Sequence, residues 1–155
     1  MTLTLKQPGE TELAQINALI FESEFASVNG AMDEDAFRKN YTLTAATLLA
    51  NLSYALYEDS CMAGFFMITC RENVNELKYF YIERNRFGKG YGKYLWAPVN
   101  RVCVDHKIHE LSIVCGKNIT PFYEKMGAIK IGEVESLVNR GVLVDLLRYW
   151  VSEIH

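Results

Sequence analysis

Three glycines at alternate positions, Gly88, Gly90 and Gly92, stand between a strand-like run and a helical pattern, and this junction restricts what the chain can build. The run from Glu76 to Ile82 is rich in aromatic residues, and Tyr91, Leu95, Val99, Val102 and Cys103 then recur at helical spacing. Glycine at such a junction permits positive φ and lets another group approach the backbone closely. The first amides of a helix have no intrahelical partners, and the helix dipole adds partial positive charge there. A strand, a glycine turn and a helix in that order therefore suit a phosphate or pyrophosphate. Arg84, Arg86, Lys89 and Lys93 add positive charge nearby. The GxGxG spacing differs from the dinucleotide pattern GxGxxG, and there is no P-loop GxxxxGK(S/T). Taken alone, the cluster is a weak signal, and a tight turn with a solvated basic rim is its bland reading.

The 155 residues suffice for one domain with one sizeable core, and no repeat or Pro/Gly-rich linker marks a boundary within 1–155. Thr2 to Lys6 alternates like a strand, and Leu13, Ile16, Ala18, Leu19 and Ile20 give a helical apolar face that Val28-Asn29-Gly30 should break. Asp33 can cap a second helix with Ala36 and Phe37 inside, while Thr44 to Asn51 reads either as a helix end or as a loop. Ser53–Tyr57 and Met62–Cys70 form a hairpin about the polar turn Glu58-Asp59-Ser60. Beyond the glycines come a helix in which Pro98 should produce a bend, a strand Leu111–Cys115, and a helix capped by Thr120, with Pro121 in its first turn, and ended by Gly127. Strands at Ile129–Glu133 and Val142–Val151 close the chain. The expected fold is α/β, a mixed sheet of about seven strands flanked by about four helices. Simple alternation places Glu76, Lys78, Phe80 and Ile82 on one face of their strand and Leu77, Tyr79 and Tyr81 on the other.

The net charge of -3 gives no general attraction to nucleic acid, so no nucleic-acid partner is expected. No apolar run reaches bilayer length and the first residues lack signal-peptide features, so a cytoplasmic protein with no membrane partner is expected. Cys61, Cys70, Cys103 and Cys115 have no CxxC spacing and lie in apolar stretches, which suits reduced, buried thiols. No cluster has metal-ligand spacing, so no metal is expected. His106 and His109 fit a helix end and the loop after it.

With these residues in view, the chain resembles the GNAT superfamily of acyl-CoA-dependent N-acyltransferases. The family's turn, Gln/Arg-x-x-Gly-x-Gly/Ala, matches Phe87-Gly88-Lys89-Gly90-Tyr91-Gly92, followed by Lys93. Asn118-Ile119-Thr120-Pro121-Phe122-Tyr123-Glu124-Lys125-Met126-Gly127-Ala128 is similar to its N-x-x-A-x-x-FYEKxGF segment. The resemblance implies acetyl-CoA as co-substrate, with the turn's amides on its pyrophosphate. It also implies that the strand end at Tyr81 and Ile82 meets the pantetheine arm, with Asn118 and Phe122 beside the cofactor. Phe87 departs from the usual Gln/Arg, with Arg86 adjacent. The tail from Ile131-Gly132-Glu133 to Ser136 looks like a subgroup that carries a Gly-Arg pair, here reversed as Arg140-Gly141.

The implied reaction moves an acetyl group to a primary amine of a small molecule or a protein by direct attack in a ternary complex. It needs a neutral amine, a polarised carbonyl and a proton for the thiolate. The resemblance gives Tyr123 as the acid and, by motif counting against the histone acetyltransferase branch, Glu76 as a base; a core tyrosine and a solvated glutamate are the bland readings. Glu22, Glu24, Asp33 and Glu34 flank the region that lines the family's acceptor pocket, and read most simply as a solvated acidic face. Ser136 and Arg140 are further residues that can border the acceptor. Two other readings stay open, a non-catalytic acyl-CoA-binding or regulatory module and a GNAT-type toxin acting on charged tRNA, the latter opposed by the net negative charge. The strand Leu143–Trp150 can pair across a homodimer, with pairing inside the monomer as the default.

Overall fold

The computed structural model describes residues 2–27 and 33–153. The expected helix break at Val28-Asn29-Gly30 lies outside the described residues. The chain runs β1 (Leu3–Lys6), a short 3-10 turn (Glu10–Glu12), α1 (Leu13–Ser27), α2 (Glu34–Tyr41), α3 (Ala45–Ala50), β2 (Leu52–Glu58), β3 (Cys61–Arg71) and β4 (Val74–Ile82). It continues with a second 3-10 turn (Arg84–Arg86), α4 (Tyr91–Asp105), β5 (Glu110–Cys115), α5 (Thr120–Lys125), β6 (Ile129–Glu135) and β7 (Leu143–Trp150). The seven strands form one sheet in the order β1-β2-β3-β4-β5-β7-β6. Every neighbouring pair is antiparallel except β4 and β5.

The mixed α/β fold holds, with five α-helices among the described residues where about four are expected. The additional one is α3, in the stretch left ambiguous between helix and loop. The Thr44 side chain accepts from the Thr47 amide at 3.2 Å and starts it, and buried Leu48 anchors it. Asp33 caps α2 as expected, accepting from the Ala36 amide at 3.1 Å. The turn between β2 and β3 has positive φ at Asp59 and Ser60, which matches the right-handed twist of a two-residue hairpin. The helix α4 passes uninterrupted through Pro98. In α1, Ile16, Leu19 and Ile20 are buried, but Ala18 faces out.

Helices cover both faces of the sheet. On one face α4 and α5 pack through Leu95, Trp96, Val99 and Tyr123 against Phe66, Ile68 and Leu77. On the other, α1, α2 and α3 bring Ile16, Ile20, Phe37 and Leu48 against Phe65, Met67 and Tyr79. The central β3 is therefore buried on both sides from Met62 to Thr69 and reads as a continuous apolar run. One expectation fails here. Only Cys103 of the four free cysteines is buried; Cys61 and Cys70 sit near the strand ends and are exposed, and Cys115 is half-buried. Trp150, at the end of β7, is also exposed.

A bulge overturns the simple alternation along β4. Met67 pairs with Tyr79 and Ile68 with Leu77, so Lys78 is an extra residue between them. Leu77 consequently joins Phe80 and Ile82 on the α4 face. Glu76, opposite Thr69, moves to the α1 face together with Tyr79 and Tyr81. An inserted residue also increases local twist and turns the strand.

Gly64 on β3 is required by close packing. A Cβ there would meet the Tyr81 carbonyl oxygen at 2.9 Å and Leu95 Cδ2 at 3.3 Å. A backbone oxygen in a paired strand has nowhere to move. We expect Gly64→Ala to destabilise the protein by about 1–3 kcal/mol, read from the urea midpoint at unchanged slope; an unchanged midpoint would show that β4 yields.

Candidate active site

The parallel pair β4–β5 is held in register at Glu76 opposite Ser112, while β5 pairs with β7 over its whole length from Glu110 to Cys115. Beyond the Lys78 bulge the C-terminal halves of β4 and β5 part. A cleft of about 640 Å³ opens there, lined by Phe80, Tyr81 and Ile82 from β4 and by Val114, Cys115 and Gly116 from β5 and its end. Phe80 and Ile82 belong to the α4 face and Tyr81 to the α1 face, so the cleft reaches both sides of the sheet.

The glycine turn forms one end. Gly88 and Gly90 have φ of +75° and +84°, and a Cβ at either would meet no atom within 4 Å. The side toward the cleft is thus open, and the first helical bond of α4, from the Tyr94 amide to the Gly90 oxygen, begins only after the turn. Gly92 serves a different purpose: a Cβ would come within 2.8 Å of the Phe122 ring, so its absence lets α5 lie against the start of α4. Behind the turn, Glu58 accepts from the Tyr91 hydroxyl at 2.6 Å and pairs with Arg86 at 3.1 Å. This clamp ties the turn to the end of β2. It also holds Arg86 at the cleft wall, while Phe87 stands 57% exposed at the rim.

The other wall depends on Asp145, buried on β7. It accepts from the Thr120 hydroxyl at 2.6 Å and from Lys117 Nζ at 2.7 Å, with Lys130 Nζ at 3.0 Å; Lys117 also donates to Glu133. These cations and the hydroxyl hold its carboxyl well below the usual carboxylate range. Thr120 therefore does not cap α5 as expected: Ile119 holds the cap position, and the threonine hydroxyl is spent on Asp145. The network fixes the first turn of α5 and the Gly116–Ile119 loop, which carry Tyr123 and Asn118.

Tyr123 is buried among Phe80, Trp96 and Phe122, with ring centroids 5.4–6.0 Å away. Its hydroxyl makes no hydrogen bond among the described residues. Burial, then Cys115 and the Glu24 charge, push its pKa far up, so it stays protonated. At the α1 end, the Tyr81 hydroxyl donates to Glu24. Burial raises the Glu24 carboxyl, and the Tyr81 bond partly offsets this.

Of the residues singled out from sequence, Tyr81, Ile82, Phe87, Gly88, Gly90, Tyr91, Gly92, Lys93, Asn118, Phe122 and Tyr123 all line this one cleft. Lys89 is exposed and is not among its lining residues. Glu76 also lies outside the lining, near Tyr41 and Tyr79 on the α1 face, where its charge helps raise both phenols. Ser136 accepts from the Val138 and Asn139 amides and shapes its own turn, and Arg140 is exposed. Glu22 is exposed, and Glu34 pairs with Arg38 at 2.8 Å. Sequence reasoning missed Ser23, Phe80, Val114, Cys115, Gly116, Ile119, Lys125 and Met126 as lining residues, and read Glu24, beside the family's acceptor region, most simply as a solvated carboxylate. A signal for Glu24 exists: the buried positions Ile16 and Ile20, extended by one helical step, land on it. Among the described residues there is no group of three His, Cys, Asp or Glu placed to hold a metal, and no helix long and apolar enough to cross a membrane.

Residues 22–144 match the family model for the acetyltransferase (GNAT) domain. The chain belongs to this family. It is an acyltransferase, and acetyl transfer is the chemistry its family shares. Among solved structures it is similar to PaiA N-acetyltransferase from Thermoplasma acidophilum in complex with coenzyme A, at 16% identity and a TM-score of 0.75, covering 97% of this chain and 99% of that one. A GNAT-family acetyltransferase from Streptococcus pneumoniae is similar at 15% identity and a TM-score of 0.73, covering 97% and 100%. IAA acetyltransferase from Bacillus cereus follows at 14% and 0.68, covering 96% and 99%. At these identities the likeness shows the GNAT fold. No curated protein sequence matches the chain.

The Asp145 network gives a directional expectation. A carboxyl with a lowered folded pKa contributes stability above its unfolded value of about 3.9, and that contribution is lost as pH falls through the folded value. Asp145→Asn should therefore lower Tm by several degrees at pH 7, with the gap to the wild type closing in acid. Equal Tm values at pH 7 would mean that the network contributes nothing.

Proposed function

We propose that this GNAT protein is a single acyl-CoA N-acyltransferase domain over residues 1–155. It moves the acetyl group of acetyl-CoA to a primary amine by direct attack in a ternary complex. The observation that carries the reading is the continuous cleft, which joins the open glycine turn to the protonated Tyr123 hydroxyl through the parting of β4 and β5. The residues present suit coenzyme A. Gly88 and Gly90 leave room at the positive end of α4, Lys93, Arg86 and Lys125 supply positive charge, and Phe80, Ile82 and Phe122 offer an apolar wall. The bound thioester supplies the activated acetyl group.

The β5-facing edge of β4, past the bulge, presents backbone groups that can polarise the thioester carbonyl. Tyr123 holds a proton that the departing thiolate needs, and its aromatic neighbours keep water away. The parting strands align acceptor and thioester, which converts a bimolecular encounter into an intramolecular one.

Calorimetric titration with acetyl-CoA tests this first. Micromolar binding is expected for the wild type and for Tyr123→Phe alike, with kcat for thiol release falling about 10²-fold or more in the variant. If acetyl-CoA, CoA and longer acyl-CoAs all fail to bind, the acyltransfer assignment of this cleft is wrong; if the variant keeps full turnover, another group supplies the proton.

A further inference from the structure

The cleft is electrically polar. Arg86, Lys93 and Lys125 line it on the side of the glycine turn and α5, and Glu24 is the one carboxylate among its described lining residues. Glu24 is on α1, across the sheet from α4, and meets the cleft through Tyr81, whose hydroxyl it accepts. The charge it carries reaches Tyr123 on the opposite side of the opening. Glu24 continues the stripe set by Ile16 and Ile20, where an ionised group costs desolvation. The other acidic residues of this region are solvated or engaged: Glu22 is exposed, Asp33 caps α2 and Glu34 pairs with Arg38.

Building on the acetyl-CoA reading, we infer that Glu24 is the anionic subsite that receives the acceptor as an alkylammonium ion and takes its proton before attack. The acceptor class is thus an aliphatic primary amine that is cationic in neutral solution. The ammonium gives one proton to the Glu24 carboxylate. The amine lone pair forms the C–N bond as the C–S bond breaks, and the thiolate takes the Tyr123 proton. The second proton on the new amide nitrogen restores Tyr123, and Glu24 releases its proton to water. Among the described residues, the titratable groups whose charges couple to Glu24 include the phenols of Tyr41 on α2, Tyr79 and Tyr81 on β4 and Tyr123 on α5, with Glu76 coupled to Tyr41 and Tyr79. Burial pushes all four phenols up, Tyr41 to about 12, so none of them titrates between neutrality and pH 9.

The test compares wild type and Glu24→Gln, with methylamine, n-butylamine and benzylamine as acceptors and thiol release as the readout. In the wild type, kcat/KM for total amine should be level between about pH 7 and pH 9. In the variant it should fall about 10²-fold at pH 7 and climb about tenfold per pH unit, following the free-amine fraction. Acetyl-CoA affinity should be unchanged. A carboxyl raised in the folded state contributes stability only below its unfolded value and loses it as pH rises through the folded one. The variant should therefore melt at or above the wild-type Tm at pH 8. A variant equal to the wild type in kcat/KM overturns the inference. So does a loss of the same size at every pH, or a loss with lowered Tm and acetyl-CoA affinity, since either marks a structural role. If the wild type binds acetyl-CoA but acetylates none of the three amines, the inference fails while the cofactor reading stands; if it does not bind acetyl-CoA, the underlying reading fails.

Discussion

The parting of two parallel strands is the constraint on which the rest of this structure depends. A sheet normally satisfies its backbone groups by pairing every strand along its length. Here β4 is committed to β3 and β5 to β7, and the two halves of the sheet are in register at Glu76 and Ser112. The extra residue Lys78 adds twist at the point where the strands begin to separate. The backbone edge of β4 and the side chains of both strands then face a cleft rather than one another. An opening of this kind in a paired sheet costs stability, and it lies beside a glycine turn.

Rigid packing holds the opening. Phe80, Trp96, Phe122, Tyr123 and Tyr149 form an aromatic cluster with edge-on contacts, among them Trp96 on Tyr149 at 4.9 Å. Such pairs contribute about 0.5–1.5 kcal/mol each beyond their buried area. The Tyr149 hydroxyl, at 2.6 Å from Asn100 Oδ1, ties β7 to α4. The Glu58–Arg86–Tyr91 clamp holds one lip of the cleft and the Asp145 network holds the other. Both place charged groups where they fix loops rather than react. The phenol of Tyr123 and the carboxylate of Glu24 line the same opening from opposite sides of the sheet.

Much of this was legible in the chain. The helical spacing of Tyr91, Leu95, Val99, Val102 and Cys103 describes the buried face of α4, because a single long amphipathic helix leaves an unambiguous period. The helix α3 was ambiguous because six residues are too few to establish a period, and its start rests on one threonine side chain. Cys61 and Cys70 are exposed despite their apolar neighbours, because such neighbours say nothing about where a strand leaves the core. Thr120 has the local pattern of a cap, but the pull of Asp145, 25 residues away, has no local signature and takes its hydroxyl.

By itself the sequence determined the order of elements, the glycine turn and the tyrosine that follows it. These are local consequences of φ freedom, hydrophobic period and motif spacing. The tertiary structure alone decided which side of β4 each residue faces, because a bulge resets the alternation and is specified by the partner strand. It alone brought Glu24 to the same opening as Tyr123, since that meeting depends on two helices on opposite faces and on strands that part between them.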